Sequence, residues 1–261
     1  MARSRRTFHG TRSRNAGFTI VEMAVVLVII GVILGAVMIG KDAQRNAEYL
    51  RIRQTFVNQW AVVYNAYSQR TGVPIGDNRQ APRLMVNGLN VTKPAGGNLA
   101  SLAAPAAICE GTAGPQMTRG MQSGVSLRNL VLQAGIELPA GRGAGMEDRY
   151  VYLDTNGNPQ ELQVCFQWNP PGTLSGTGNV MVITGLTPDL ARSLASAIKG
   201  NADASSGVFR QESVKAGAAS GVTGGAGGLD WVGNNSLAYD GTTVDREAQV
   251  MTVVAHYKMN Q

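Results

Sequence analysis

Phe18 to Ile39 reads FTIVEMAVVLVIIGVILGAVMI, an apolar run of 22 residues whose single ionisable group is Glu22. At a helical rise of about 1.5 Å per residue, such a run crosses a bilayer core of about 30 Å. A secretory signal has a shorter apolar run, of about 7–15 residues, followed by a small-residue cleavage site. Here the run is longer and the small pair Ala16-Gly17 precedes it. One membrane span is therefore expected, not a conventional signal peptide. Residues 1–17 hold Arg3, Arg5, Arg6, Arg12 and Arg14 and no acid, so the N-terminus is predicted to stay in the cytoplasm while the chain after Lys41 is exported.

A carboxylate inside an apolar span costs on the order of a few kcal/mol unless it reaches the interface or finds a partner. Glu22, five residues into the run, either reaches headgroup water or has a specific role. The residues around it, Gly17-Phe18-Thr19-Ile20-Val21-Glu22 behind an arginine-rich leader, resemble the type IV pilin and pseudopilin family. The likeness covers residues 12–40 well and weakens to about residue 77. It implies that a prepilin peptidase cuts after Gly17 and methylates the new N-terminal residue, Phe18. It also implies that Glu22 is the acid of the assembly position, set against the Phe18 amine of a neighbouring subunit. Burial in a filament core makes either charge expensive to leave unpaired, which agrees with that pairing. Many pilins carry a proline late in this helix, whereas none lies between Phe18 and Val73 here. Gly31, Gly35 and Gly40 are the only helix-weakening positions; local melting on assembly is expected around Gly35 to Gly40, or else these glycines permit close helix packing.

After Lys41 the sequence becomes amphipathic, with Ala43, Ala47, Leu50, Val57, Ala61 and Tyr64 at helical steps and Phe56, Trp60, Val63 and Tyr67 widening the face. The helix is expected to run unbroken from Phe18 to about Arg70 and to stop at Gly72 and Pro74. Arg45, Arg51 and Arg53 are expected on a solvated face or against neighbouring subunits. The domain reading is a leader over 1–17, removed; a transmembrane and filament-core helix over 18–40; its amphipathic continuation over 41–71; and a globular exported head over 72–261.

The net charge of +6 suggests nucleic acid until it is divided along the chain. The leader and residues 41–70 carry the excess, while residues 71–261 hold 13 bases against 14 acids, so the head is not a generally cationic surface. Strand patterns occur at Tyr150–Leu153, Glu161–Trp168, Asn179–Thr184 and Gln249–Tyr257. The first two are separated by a turn sequence, Asp154 to Gln160, and should form an antiparallel hairpin. Thr187-Pro188-Asp189 opens a helix that Gly200 closes; Ser126–Ala134 reads as a second and Leu99–Ile108, interrupted by Pro105, as a third. The fold class is thus α+β: a long N-terminal helix packed on an antiparallel sheet, pilin-like. Residues 215–228 are small and Gly-rich and read as an exposed loop or a linker.

Cys109 and Cys165 lie on the exported side, where an even count favours a disulfide over two buried thiols. Once the leader is gone the chain keeps one histidine, His256, so no histidine metal cluster and no relay with a choice of partners is available; His256 reads as structural or exposed. The glycine-rich stretches 141–145 and 172–178 lack the endings and flanks of phosphate loops. Asp154, Asn156 and Asn158 match the start of a calcium loop, but the distal Glu is not at its spacing and a hairpin turn accounts for the same residues. No catalytic constellation and no cofactor is expected; the chain reads as a structural subunit and not an enzyme.

The resemblance implies a precursor in the bacterial inner membrane that is later extruded into an extracellular pilus. The implied partners are other copies of the chain, prepilin peptidase, and an inner-membrane assembly platform with its ATPase. A type II secretion pseudopilin is the alternative, with a membrane-anchored adhesin or DNA-uptake receptor acting as a monomer further behind.

Overall fold

The computed structural model describes residues 19–93, 97–99, 101–214, 228–231 and 252–259. The leader, Gly17, Phe18, Gln249 and nearly all of the glycine-rich stretch 215–228 lie outside the described residues. The chain divides into two compact units, Met1–Asn46 and Ala47–Gln261.

The described part of the first unit is helical from Ile20 onward, the beginning of helix α1 (Ile20–Ile52). Its residues from Ile20 to Gln44 are all exposed, among them Ile20, Leu27, Val32, Leu34 and Ile39. Nothing lies within 4 Å of where a Cβ would stand on Gly31, Gly35 or Gly40, and the helix runs straight through them.

Helical backbone continues through a π turn, Arg53–Val57, into α2 (Asn58–Thr71). The sequence reading had no break in regularity here. The Thr55 hydroxyl donates to the Arg51 carbonyl at 2.8 Å, competing with the backbone donor that an α-turn would place there, and the Asn58 amide reaches back five residues to the Arg53 carbonyl. The helix ends where expected: Gly72 adopts φ 77° and its amide closes on the Ser68 carbonyl. Tyr49, Ile52, Phe56, Trp60, Val63, Tyr64 and Tyr67 form one buried stripe.

That stripe packs on a five-stranded antiparallel sheet in the order β1-β2-β3-β5-β4. The strands are β1 (Arg149–Leu153), β2 (Pro159–Asn169), β3 (Gly178–Leu186), β4 (Phe209–Gln211) and β5 (Val253–Lys258). The β1–β2 hairpin is present, with Leu153 opposite Pro159. β4 was not foreseen, because three residues are too few to show a period. On β2, Leu162, Val164, Phe166 and Trp168 belong to the main core, where Phe166 meets Tyr64 at 5.3 Å and Trp60 at 6.2 Å between ring centroids. Helix α4 (Pro188–Lys199) joins the same core through Leu190, Ala191, Leu194 and Ala195, with the Thr187 hydroxyl capping its first turn and Gly200 at φ 84°.

The intervening residues of β2, Gln163, Cys165, Gln167 and Asn169, face the other side. That side has a smaller core of Ala107, Cys109, Cys165, Val180, Val182 and Val254, packed against Ala113, Met117 and Met121. Helix α3 (Leu127–Gln133) begins at Ser126 as expected, its hydroxyl accepting from the Asn129 amide. The helix expected over Leu99–Ile108 is absent. Pro105 removes a donor, and Ile108 instead pairs with Phe166, each amide donating to the other's carbonyl. The next pair in that register is Cys109 and Cys165, joined by a disulfide at a Cα–Cα distance of 4.5 Å, the close spacing of a non-hydrogen-bonded antiparallel pair.

Candidate functional site

The strongest functional signal in the sequence sits at the start of α1, and its local geometry is a reciprocal cap. Glu22 Oε2 accepts from the Thr19 amide at 2.8 Å and from the Thr19 hydroxyl at 2.9 Å. The Glu22 amide donates back to Thr19 Oγ1 at 3.2 Å. A threonine followed three residues later by a glutamate forms this pair because the first helical turn leaves amides without intrahelical partners. The carboxylate also lies at the positive end of the helix dipole. Thr19 was not singled out in the sequence reading; the T-x-x-E spacing was the signal that would have found it. Gly17 and Phe18, the expected processing residues, precede the described residues.

Residues 12–38 match the family model of the prokaryotic N-terminal methylation motif. They carry the type IV prepilin and pseudopilin signature. The signature, the apolar helix behind it and the α+β head with its disulfide agree with one another and point to a structural protein of this kind, pilin or pseudopilin. Such a signature implies processing by prepilin peptidase and filament assembly, and it fits an inner-membrane precursor. Neither the curated proteins nor the solved structures gave a match to the chain.

Asp154, Asn156 and Asn158, the calcium-loop candidate, lie in a turn. Asp154 Oδ1 accepts from the amides of Asn156 and Asn158, and Oδ2 from the side chains of Asn158 and Gln160. Burial raises the Asp154 pKa, but these donors outweigh it and hold the group below its ordinary value. Asn158 turns its amide nitrogen, not its oxygen, toward the carboxylate. Among the described residues no group of three or more His, Cys, Asp or Glu gathers as a metal site.

His256 is buried on β5, 2% exposed, and is far from isolated. Its Nδ1 lies 2.7 Å from Ser175 Oγ and 3.1 Å from Asn169 Nδ2, while Nε2 lies 3.4 Å from Glu212 Oε1. Asn169 and Ser175 come from the end of β2 and the loop after it and Glu212 follows β4, each far from His256 in sequence, so no spacing announces the cluster.

Proposed function

We propose that this chain is the structural subunit of a type IV pilus. It is made as a single-pass precursor, cut after Gly17, methylated on Phe18, and drawn from the inner membrane into a surface filament. The domain reading follows: leader 1–17, core helix 18–40, amphipathic continuation 41–71 and head 72–261. The observation that carries this reading is the methylation motif at residues 12–38 running directly into an apolar helix capped by Glu22. By covalent structure the Thr19 amide is three bonds from the Phe18 nitrogen. A carboxylate accepting from that amide stands close to the amine that cleavage would create, and in the filament it would meet the amine of the next subunit. Two charges that must both leave water are held by pairing, and mispairing is costly, so Glu22 sets register. The glycines 31, 35 and 40 face open space within the single chain, which leaves room for close helix approach on assembly.

Intact mass of the protein in filaments sheared from cells, and in membranes in parallel, tests the proposal. The expected species begins at N-methyl-Phe18, is two hydrogens lighter for the Cys109–Cys165 bond and is abundant in the sheared fraction; Glu22→Ala removes it from that fraction. A processed chain confined to membranes would make the protein a type II secretion pseudopilin. A chain that keeps residues 1–17 would overturn both readings.

A further inference from the structure

The cluster around His256 has a definite protonation pattern. Asn169 is fixed at both ends of its amide, since Gln167 Nε2 donates to its Oδ1 at 2.7 Å and its Nδ2 donates to the Gly176 carbonyl at 3.0 Å. The Nδ2 group can only donate, so His256 Nδ1 must accept, and the ring proton sits on Nε2 facing Glu212. The Ser175 hydroxyl is then a donor to Nδ1 at 2.7 Å. Glu212 is held by the Thr118 hydroxyl at 2.6 Å. Burial raises its pKa, but His256 and Thr118 outweigh that and keep it ionised, with Arg119 contributing a nearby positive charge. A hydroxyl on the lone pair of an imidazole whose other nitrogen faces a carboxylate is the arrangement that activates a serine.

The surrounding loop also suits that chemistry. Ser175 itself is 5% exposed, yet Pro171, Gly172, Leu174 and Thr177 around it are exposed. Gly172 and Gly176, at φ 90° and 108°, flank it with backbone that other residues rarely adopt. Arg210, opposite His256 across β4 and β5, brings Nη1 to within 3.2 Å of where a Cβ on Gly176 would stand. That guanidinium supplies positive charge beside the serine.

We propose that Ser175 is an activated nucleophile that accepts an acyl group from small esters. Its Oγ bonds to the ester carbonyl carbon as its proton passes to His256 Nδ1, the longer Asn169 Nδ2 contact on that lone pair being given up, and the imidazolium formed faces Glu212. When the tetrahedral intermediate collapses, the carbon–oxygen bond to the alcohol breaks and Nδ1 returns the proton to that alcohol. The products are O-acyl-Ser175 and a free alcohol, with the ring neutral again. The near-burial of Ser175 limits the acyl group to about acetyl size.

The test treats the full chain in detergent with p-nitrophenyl acetate, following p-nitrophenol release and mapping the acetyl group by peptide mass. Acetyl on the Ser175 peptide is expected, with Ser175→Ala removing it and His256→Gln slowing its appearance by about 100-fold or more. Glu212 acts through the ring as a positioning residue. Glu212→Gln, which retains hydrogen-bonding capacity, should slow labelling by about tenfold and shift its pH profile toward acid. It decides the matter if His256→Gln fails to fold. Acetyl found only on other residues, or Ser175 labelled at the wild-type rate and pH profile in Glu212→Gln, would reduce the cluster to a structural network.

Discussion

The two faces of β2 are buried equally and held differently. All eight residues from Leu162 to Asn169 are buried, although they alternate between apolar and mostly polar side chains. Toward the helices, Val164, Phe166 and Trp168 meet a wide aromatic and aliphatic surface, and area removed from water does the holding. Toward the other side, Gln163, Gln167 and Asn169 are buried on the face that carries a small apolar patch; a chain with no helix and only isolated bridges (residues 107–121) covers the patch, and Gln163 donates to its Glu110 and Thr112 carbonyls. There the disulfide and side-chain hydrogen bonds take over from packing. An irregular cover lacks a continuous apolar stripe, so it needs a covalent tie and a polar network to stay in place.

Opening the helix-facing side has the largest expected effect. Phe166→Ala removes a fully buried ring in contact with both Trp60 and Tyr64, and should destabilise the head by about 3–5 kcal/mol. Denaturant unfolding with tryptophan fluorescence measures it, and a loss under about 1 kcal/mol would mean that this face does not depend on packing. Opening the other side comes next. Cys109 and Cys165 are 56 residues apart, and in the chain-entropy model reducing their bond costs about 4 kcal/mol. Unfolding with and without reductant reads that loss. Reduced protein should also exchange amide hydrogens faster over residues 107–121 than over β3, and uniform exchange would contradict a cover held by the bond.

The helix-facing side was legible because its signals are local and periodic. The stripe from Phe56 to Tyr67, the hairpin around Asp154–Asn158, the Thr187 cap and the Gly72 stop each follow from neighbouring residues, whereas Ala43, Ala47 and Leu50, expected on that face, are exposed and Tyr49 and Ile52 are buried in their place. On the outer side the Cys109–Cys165 bond was legible from the even cysteine count, but the polar network was not, because its partners are distant in sequence. Nothing near His256 specifies Ser175, 81 residues away, or Asn169, 87 away. Leu99–Ile108 misled because apolar spacing alone does not distinguish a short helix from a segment that bridges a strand, and the deciding partner, Phe166, lies far along the chain. At the N-terminus the motif was plain in the sequence, yet the Thr19 side of the Glu22 cap was visible only as a spacing.

The smallest expected effect sharpens the contrast by its sign. Asp148 is 2% exposed; burial raises its pKa to about 6, with Gln163 and Arg149 offsetting only part of the rise. Its Oδ1 has no hydrogen-bond partner, while Oδ2 accepts from Gln163 Nε2 at 3.1 Å. From its ordinary value of 3.8 up to about 6 the folded chain therefore holds this proton more tightly than the unfolded chain does. Asp148 favours folding most below that window, loses the advantage as pH rises through it, and is a net liability at pH 7. Asp148→Asn should remove this slope and stabilise the head at pH 7 by about 1–3 kcal/mol. Thermal unfolding of both chains between pH 4 and pH 7 measures the difference. A variant that keeps the parent's slope, or loses stability at pH 7, would mean that the carboxylate holds the outer face together as a charge. A gain would mean that the outer network tolerates Asp148 at a cost in stability while the helix-facing core supplies the margin.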